Sequence, residues 1–288
     1  MKVGIIVKLI AGSYTIKDEN GNKIILKPRG VFRHRDIAPK VGDIVNFDDD
    51  LITEVKPRKN DLIRPPVANV DQAILIHAAK EPNFSFNLLD RFLILVEKED
   101  ILPIIIVTKI DLLQDVELKE LKNNLSYYEE FYPVYYTSVK DETSLKVIEQ
   151  VLENKTSVFA GQTGAGKSSL LNVLDINLKL ETGEISKALG RGRHTTRHSE
   201  LIDIYGGLVA DTPGFSKLDF EGIEASLLQA HYPDFVKLSS GCKFRGCTHL
   251  NEPKCAVKDA YKDGKILKSR YENYQLLYQE ISEQKKRY

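Results

Sequence analysis

A glycine-rich motif of eight residues limits the possible folds of this chain more than any other feature. Residues 161–168 read Gly-Gln-Thr-Gly-Ala-Gly-Lys-Ser and match the pattern G-x-x-x-x-G-K-[ST]. The apolar run Val158–Ala160 precedes the motif, and the helical pattern Ser168–Leu174 follows it. Glycines in such a loop turn backbone N–H groups toward a phosphate, and the helix N-terminus adds partial positive charge. The motif therefore predicts a phosphate-binding loop in an α/β domain; the alternative is a glycine-rich turn that contains Lys-Ser by chance.

The residues of this loop have distinct expected roles. Lys167 is expected to reach the β- and γ-phosphates and to assist catalysis, and the hydroxyl of Ser168 is expected to bind Mg²⁺. The nucleotide-binding residues predicted in this loop are Gly161, Gln162, Thr163, Gly164, Ala165, Gly166, Lys167, Ser168 and Ser169.

Two later segments are expected to surround the γ-phosphate. Asp211 follows the apolar strand Leu208–Ala210 in the sequence Asp-Thr-Pro-Gly, where it would hold Mg²⁺ through water while the Gly214 N–H senses the γ-phosphate. Between this motif and the loop lies a basic segment, residues 190–197, with adjacent threonines at 195 and 196. We expect Thr196, in preference to Thr195, to complete the Mg²⁺ shell, although the segment is also compatible with a plain basic surface loop.

The sequence Thr108-Lys109-Ile110-Asp111 follows the most apolar strand and resembles the guanine-reading motif N-K-x-D, with Thr in place of Asn. The Asp111 carboxylate can accept hydrogen bonds from guanine N1–H and the N2 amine, which adenine does not offer, so it selects GTP over ATP. Lys109 would cover the base, and Thr108 would bind it less well than Asn. Ser138, in Thr137-Ser138-Val139-Lys140, fits the next base-contacting loop.

Apolar runs alternate with helical patterns from residue 64 onward, which predicts a mainly parallel sheet with helices between its strands. The predicted strands are residues 72–77, 101–108, 134–136, 157–160 and 208–210, and the predicted helices are residues 88–98, 118–130, 144–152 and 168–174. The base motif precedes the phosphate loop, the reverse of the Ras-like order. The same sheet is possible in a circularly permuted chain, because ligands meet parallel strands at their carboxyl ends.

The regions on either side of this domain differ in character. Residues 1–63 contain short apolar runs separated by turn signals, which favours a small barrel of the OB type, with an SH3-like barrel as the alternative. Residues 218–288 show mostly helical patterns. We therefore predict three domains: a barrel at 1–63, a nucleotide-binding domain at 64–217 and a helical domain at 218–288.

Composition limits the cellular setting. The formal net charge is +0, so attraction to nucleic acid must be local. No apolar run reaches the roughly 20 residues of a membrane helix, and the N-terminus lacks a signal-peptide pattern. We expect a cytoplasmic monomer without membrane contact.

The three cysteines of the chain lie close together at positions 242, 247 and 255, with His249 between them. Three thiolates and one imidazole form a closed tetrahedral set typical of structural Zn²⁺. The spacing also permits iron, and the alternative is three free cysteines with His249 uninvolved.

The order of these parts resembles the RsgA family of circularly permuted GTPases that depend on the small ribosomal subunit. The resemblance rests on Thr108–Asp111, Gly161–Ser168, Gly192–Thr196, Asp211–Gly214 and the four ligands between 242 and 255, and it extends over the whole chain. It implies a P-loop GTPase that acts in late 30S maturation, is stimulated by the 30S subunit and binds 16S rRNA, GTP and GDP. The family usually has Asn at position 108 and Ser at position 163, where this chain has Thr.

Two sets of residues are candidates for RNA contact. One is the basic loop of the barrel, with Lys27, Arg29, Phe32, Arg33, His34 and Arg35, and the other is the tail at 258–287, which carries Lys and Tyr at helical spacing. Each is also compatible with an ordinary solvated surface.

The residue after Gly214 is Phe215, where Ras-like enzymes place a glutamine that orients water. Phe cannot hydrogen-bond water, so we expect slow intrinsic hydrolysis and assign the catalytic role to His194, positioned by the ribosome. Rival functions are an ATP-dependent enzyme, an RNA-binding assembly protein with a degenerate nucleotide site, and a zinc-dependent hydrolase.

Overall fold

The computed structural model describes residues 2–28, 38–63, 65–174, 200–210, 220 and 222–284. These residues form an N-terminal barrel, a six-stranded sheet between helices, and a C-terminal helical region. Over the same residues, no helix is both long enough and apolar enough to cross a bilayer.

The N-terminal strands close into a barrel in the order β1-β2-β3-β5-β4. The strands are β1 (Lys2–Ile10), β2 (Ser13–Asp18), β3 (Lys23–Pro28), β4 (Ile44–Phe47) and β5 (Leu51–Val55). β3 pairs with β5 in parallel and the other neighbours pair antiparallel, which confirms the predicted OB-like barrel. The apolar runs did not reveal β2, because its buried Tyr14 and Ile16 alternate with partly exposed residues.

The second sheet has the strand order β10-β11-β9-β6-β7-β8. Its strands are β6 (Gln72–Ala78), β7 (Leu102–Thr108), β8 (Val134–Tyr136), β9 (Thr156–Ala160), β10 (Leu201–Ile204) and β11 (Gly207–Ala210). Neighbours are parallel except β10, which pairs antiparallel with β11, so the predicted mostly parallel sheet is confirmed. β10 was not predicted, because Asp203 interrupts its short apolar pattern.

Side chains of the central strand β6 alternate between two apolar cores. Ala73 and Leu75 join one core, and Ile74 and Ile76 join the other. The first core is covered by α1 (Phe86–Glu97) and α2 (Asp115–Glu129), and the second by α3 (Glu142–Leu152) and α4 (Lys167–Leu174). β6 lies between β7 and β9, so the strands that lead into the base motif and the phosphate loop flank the same central strand.

Three helices of this region begin two or three residues before their predicted starts at 88, 118 and 144. Ser85 caps α1 through the N–H of Leu88, and Asp141 caps α3 through the N–H of Thr143. Gln114 and Glu117 form a capping box at α2. The apolar periodicity marks only the buried face of a helix, whereas these polar caps determine where the helix starts.

The C-terminal region contains a 3₁₀ segment (Ala225–His231) and three helices, α5 (Pro233–Ser239), α6 (Ala256–Lys262) and α7 (Lys268–Gln284). Its core is aromatic: Tyr232, Phe235, Tyr271 and Tyr274 are all buried. The tyrosines at 271 and 274 therefore stabilise this core, and the interpretation of the tail tyrosines as an RNA surface is wrong for these two residues.

A buried ion cluster (Asp90, Asp234 and Arg270) joins the C-terminal region to the sheet domain. Nη1 of Arg270 lies 2.6 Å from Oδ1 of Asp90 on α1, and Nη2 lies 3.1 Å from Oδ1 of Asp234 on α5. Tyr128 and Tyr127 of α2 donate their hydroxyls to Asp90 and Asp234 at 2.9 and 2.7 Å. All three charged side chains are at most 3% exposed, so every charge of the cluster depends on its partners.

The barrel contacts the sheet at its outer strand β10. Lys8 of β1 pairs with Glu200 at 2.6 Å, and Lys17 of β2 pairs with Asp203. β1 and Glu200 also form an isolated antiparallel bridge at Lys8. The barrel therefore covers an edge that would otherwise expose unpaired backbone groups.

Candidate functional site

The predicted phosphate loop connects β9 to α4 at the carboxyl end of the sheet. Gly161 has a φ of 146°, and a Cβ there would lie 2.2 Å from the carbonyl oxygen of Ile76 on β6. Only glycine fits so close to the neighbouring strand. Gly164 and Gly166 also have positive φ angles of 81° and 91°, which glycine adopts without strain. The glycines therefore let the loop curve tightly over the end of β6, as a phosphate cradle requires.

Lys167 is the cationic side chain of this loop. Its Nζ donates to the carbonyl oxygens of Gly161 and Gln162 at 2.5 and 2.8 Å. Burial lowers the pKa of Lys167 to about 8, because desolvation disfavours the ammonium. Anionic phosphates would favour the charged form again. Ser168, the expected Mg²⁺ ligand, follows in the first turn of α4 and is buried.

The base motif lies directly beside the phosphate loop. The hydroxyl of Thr108 donates to the carbonyl oxygen of Ala165 at 2.6 Å, and a Cβ on Gly166 would lie 3.4 Å from the same hydroxyl. One pocket contains Thr108, Lys109 and Asp111 of the base motif together with Gly166 and Ser169 of the phosphate region. Thr108 thus connects the base motif to the phosphate loop. The sequence indicated residue 108 only as a contact to the base and did not predict this role.

The carboxylate of Asp111 is held by two residues of the next loop. Ser138 Oγ donates to Oδ1 at 2.8 Å, and Lys140 Nζ lies 2.7 Å from Oδ2. The hydrogen bond from Lys140, followed by that from Ser138, lowers the pKa of Asp111 below its ordinary value. The group is therefore an ionised acceptor at neutral pH, the state needed to recognise guanine N–H donors. Lys140 was absent from the predicted site residues, because a lysine beside a loop serine gives no local signal of this pairing.

His77 on β6 is a second neighbour of the phosphate loop that the sequence did not indicate. It is 2% exposed and packs against Phe84 and Phe92, with ring centroids 5.4 and 5.9 Å away. Burial, followed by the charge of Lys167, lowers its pKa to about 4. His77 is therefore a neutral packing residue behind the loop at physiological pH.

Several predicted site residues lie outside the described part of the chain. They are His194, Thr195 and Thr196 of the basic segment, and Asp211 and Gly214 after β11. Their roles stay predictions.

The cysteine and histidine residues form a candidate metal centre between α5 and α6. Ligand atoms of Cys242, Cys247, His249 and Cys255 all lie within 4.8 Å of one another. His249 Nδ1 lies 3.6 Å from Cys242 Sγ and 3.3 Å from Cys255 Sγ, and the two sulfurs are 3.9 Å apart. Tetrahedral Zn²⁺, with bonds of ~2.3 Å to sulfur and ~2.0 Å to nitrogen, needs S···N of ~3.5 Å and S···S of ~3.8 Å. Three of the ligand atoms therefore have nearly tetrahedral spacing, and with Cys247, which lies within 4.8 Å of them, the four groups could hold a metal ion.

Neighbouring groups fix the loop that carries His249. The carboxylate of Glu252 accepts the N–H groups of Thr248 and Leu250 at 2.7 and 3.0 Å, and these backbone groups flank His249. Tyr271 donates its hydroxyl to the carbonyl oxygen of His249 at 2.6 Å. These contacts hold the ligand loop against the aromatic core and preorganise the metal centre.

Family models match most of the chain. The model described as the RsgA N-terminal domain matches residues 3–54, and the model described as RsgA GTPase matches residues 55–221. The small ribosomal subunit biogenesis GTPase RsgA of Bacillus velezensis is 52% identical over 298 residues, with 100% of both chains covered. Its counterpart of the same name in Bacillus subtilis is 50% identical over 300 residues, again with 100% of both covered.

Two solved structures share the whole fold. The crystal structure of YloQ, described as a circularly permuted GTPase, has a TM-score of 0.85 and 45% identity, with 99% of this chain and 96% of that chain covered. The crystal structure of YjeQ from Thermotoga maritima has a TM-score of 0.86 and 35% identity, with 97% and 98% covered. The permuted order of base motif and phosphate loop is therefore shared with a solved GTPase.

Proposed function

This chain belongs to the RsgA GTPase family, and on that premise we propose that this GTPase acts in the late maturation of the small ribosomal subunit and is activated by it. The observation that carries the proposal is the single pocket in which the base motif meets the phosphate loop, with Asp111 ionised and Lys167 in the loop. Relatives named for small-subunit biogenesis, about half identical over their full length, supply the biological setting.

In the proposed nucleotide site, different segments of the chain bind the base, the phosphates and Mg²⁺. Asp111 accepts from the guanine edge, and Ser138 and Lys140 hold its carboxylate in position. Lys167 binds the β- and γ-phosphates, and Ser168 and Thr196 bind Mg²⁺, with Asp211 as its water-mediated partner. A Mg²⁺ ion held by these residues would supply positive charge next to the phosphates. The ion would fit this site because Ser168, in the first turn of α4, provides a hydroxyl oxygen directly after the glycine loop that would hold the phosphates.

In the hydrolysis step, we assign the orientation of the attacking water to His194. The position after Gly214 is Phe215, whose ring offers no hydrogen bond to water. An imidazole in the basic segment would accept a proton from the attacking water once the ribosomal subunit has placed it. Substituting His194 with alanine should then remove the stimulation by 30S subunits and leave the basal rate unchanged. Stimulated turnover equal to that of the wild type would refute this role.

We assign the metal centre to one structural Zn²⁺. Four protein ligands would fill a tetrahedral zinc site and leave no open position for catalysis, which argues against a zinc-dependent hydrolase. The metal would stabilise a compact basic loop for contact with 16S rRNA. A second RNA contact would come from the basic residues predicted for the barrel. Of these, Lys27 lies at the end of strand β3 and not in a loop, and residues 29–37 lie outside the described part of the chain. A single chain in the cytoplasm, where ribosomal subunits mature, suffices for this reaction.

Replacing Glu252 with glutamine should weaken zinc binding about 10- to 100-fold, because this carboxylate orients the loop of His249. Competition with a chromophoric chelator measures the affinity, and elemental analysis of the purified protein should find one zinc per chain. Glu272→Gln, at an exposed position of α7, is the matched control and should leave the affinity for zinc unchanged. Iron in place of zinc, or equal affinities for the two variants, would contradict the assignment.

The proposed function is tested by GTP and ATP hydrolysis with and without purified 30S subunits. We expect turnover of GTP alone, with strong stimulation by 30S. If 30S subunits leave GTP turnover unchanged, the ribosomal subunit is not the activator, and the assignment as a GTPase still stands. ATP turnover equal to GTP turnover would overturn the role of Asp111, and an Asp111→Asn variant that prefers xanthosine triphosphate would support it.

A further inference from the structure

A groove of about 330 Å³ lies between the 3₁₀ segment Ala225–His231, helix α5 and the metal-binding loop. Its walls include Gln229, Val236, Ser240, Arg245 and His249, and Phe244 lies at its rim. The volume is near the lower end of the range of roughly 300–1,000 Å³ for small-ligand sites. The groove is separate from the nucleotide pocket, so it has no part in GTP binding.

Two buried polar atoms of the groove residues have no hydrogen-bond partner among the described residues. They are Nε2 of His249, a residue that is 1% exposed, and Oε1 of Gln229. Because Nδ1 of His249 faces the cysteine sulfurs, a metal-bound imidazole carries its proton on Nε2. Two residues that line the groove thus carry one unpaired donor and one unpaired acceptor, and leaving such buried groups unpaired is unfavourable.

The rim of the groove is aromatic and basic. Phe244 is 44% exposed, and Nζ of Lys243 lies 5.3 Å from the centre of its ring. Residues 236–258 contain five Lys or Arg side chains (237, 243, 245, 254 and 258) and one acidic side chain, Glu252, in a chain whose net charge is +0. The carboxylate of Glu252 is occupied by N–H groups of its own loop. The surface around the groove is therefore positive.

We propose that this groove captures a single unstacked base of RNA. Phe244 stacks on the base, while the His249 N–H and the Gln229 carbonyl group pair with its polar edge. Lys243 and Arg245 hold the flanking phosphates. An apolar peptide side chain would leave the two buried polar atoms unpaired, whereas every base edge carries acceptors or donors, so the polar lining favours RNA. The inference rests on the proposed function, since it deepens the contact of the metal-binding region with ribosomal RNA.

Binding of the full-length protein to labelled RNA octamers tests this inference. The octamers contain only A, C, G or U, and a matched octamer carries abasic spacers in place of bases. Phe244→Ala should weaken the binding of the base-containing octamer with the highest affinity about 10- to 30-fold, in the range expected for the loss of one base–aromatic stack. The affinity for the abasic octamer should stay unchanged. Phe244→Trp should retain binding. Leu276→Ala, at an exposed position of α7, is the apolar control.

Two further variants separate base recognition from phosphate attraction. Arg245→Ala should weaken the binding of both base-containing and abasic octamers. It should also reduce the magnitude of the slope of log K against log salt concentration by about 0.7. Gln229→Leu should instead change the preference among the four bases. Equal effects of Phe244→Ala on abasic and base-containing octamers, or no effect on either, would overturn the proposal. The proposal would also be overturned if Phe244→Ala abolished binding to 30S subunits but left octamer binding unchanged, because this result would indicate a protein occupant. If the octamers bind as expected but 30S subunits do not stimulate GTP hydrolysis, the proposed role of the groove stands. The proposed activation by the ribosomal subunit is then rejected.

Discussion

Replacing Lys167 with alanine is expected to lower kcat for GTP hydrolysis about 100- to 1,000-fold, the usual effect of removing one preorganised group that stabilises transition-state charge. The side chain lies in the phosphate loop, with its Nζ on the carbonyl oxygens of Gly161 and Gln162. Steady-state phosphate release measures the loss, and Lys119→Ala, at an exposed position of α2, is the control for removal of a charge.

The same variant gives a stability result that separates a catalytic role from a structural one. Burial lowers the pKa of Lys167 from 10.5 to about 8, so folding releases a proton between these pH values and the charged form opposes folding at neutral pH. Lys167→Ala should therefore leave the melting temperature of the free protein unchanged or raise it. The stabilisation by added GTP should be lost. A marked drop in the melting temperature without nucleotide, with turnover retained, would contradict this account of Lys167.

Replacing Arg270 with methionine is expected to destabilise the protein by about 3–5 kcal/mol, because it leaves two buried carboxylates without their cation. Asp90 and Asp234 are at most 3% exposed and approach the guanidinium at 2.6 and 3.1 Å. Urea unfolding monitored by tyrosine fluorescence measures the change. The matched control is Arg91→Met, which removes a bidentate pair with partly exposed Glu280 and should cost about 1 kcal/mol or less.

A second variant tests whether the loss comes from the unpaired carboxylates. Replacing Asp90, Asp234 and Arg270 together with apolar residues of similar volume should recover most of the stability, because no uncompensated charge is then buried. If the triple variant is as unstable as Arg270→Met, the packing of the arginine side chain, and not its charge, holds the two regions together. A loss below 1 kcal/mol for Arg270→Met would contradict the buried ion cluster itself.

The parts of the site that the sequence revealed are local in the chain. The phosphate loop, the base motif and the cysteine cluster each lie within a short stretch, so residue types and spacing are enough to indicate their chemistry. The OB-like barrel and the mostly parallel sheet also followed from local patterns of strands and turns. The roles of the residues in the nucleotide site also depend on residues 175–199 and 211–219, which lie outside the described part of the chain.

The interactions that the sequence did not reveal join distant positions. The hydroxyl of Thr108 meets the carbonyl oxygen of Ala165 across 57 residues, and Arg270 meets Asp90 across 180 residues. A charged residue on a helix is usually solvated, so no local pattern distinguishes Arg270 from exposed Lys268 of the same helix. Tyr271 and Tyr274 gave a misleading signal for a similar reason, because aromatic spacing on a helix is the same in a core and on a surface that binds RNA.

The buried ion cluster also has a consequence for the order of events during synthesis. Asp90 is made 180 residues before Arg270, which at roughly 5–20 residues per second corresponds to about 9–36 seconds. During that time, α1 can pack on the sheet only with an Asp90 carboxylate that has the hydroxyl of Tyr128 but not yet the cation of Arg270. The nucleotide-binding domain therefore reaches its final stability only after the last helix has been translated. A chain that stops before residue 270 would contain every nucleotide-binding motif and still lack the cation that its core requires.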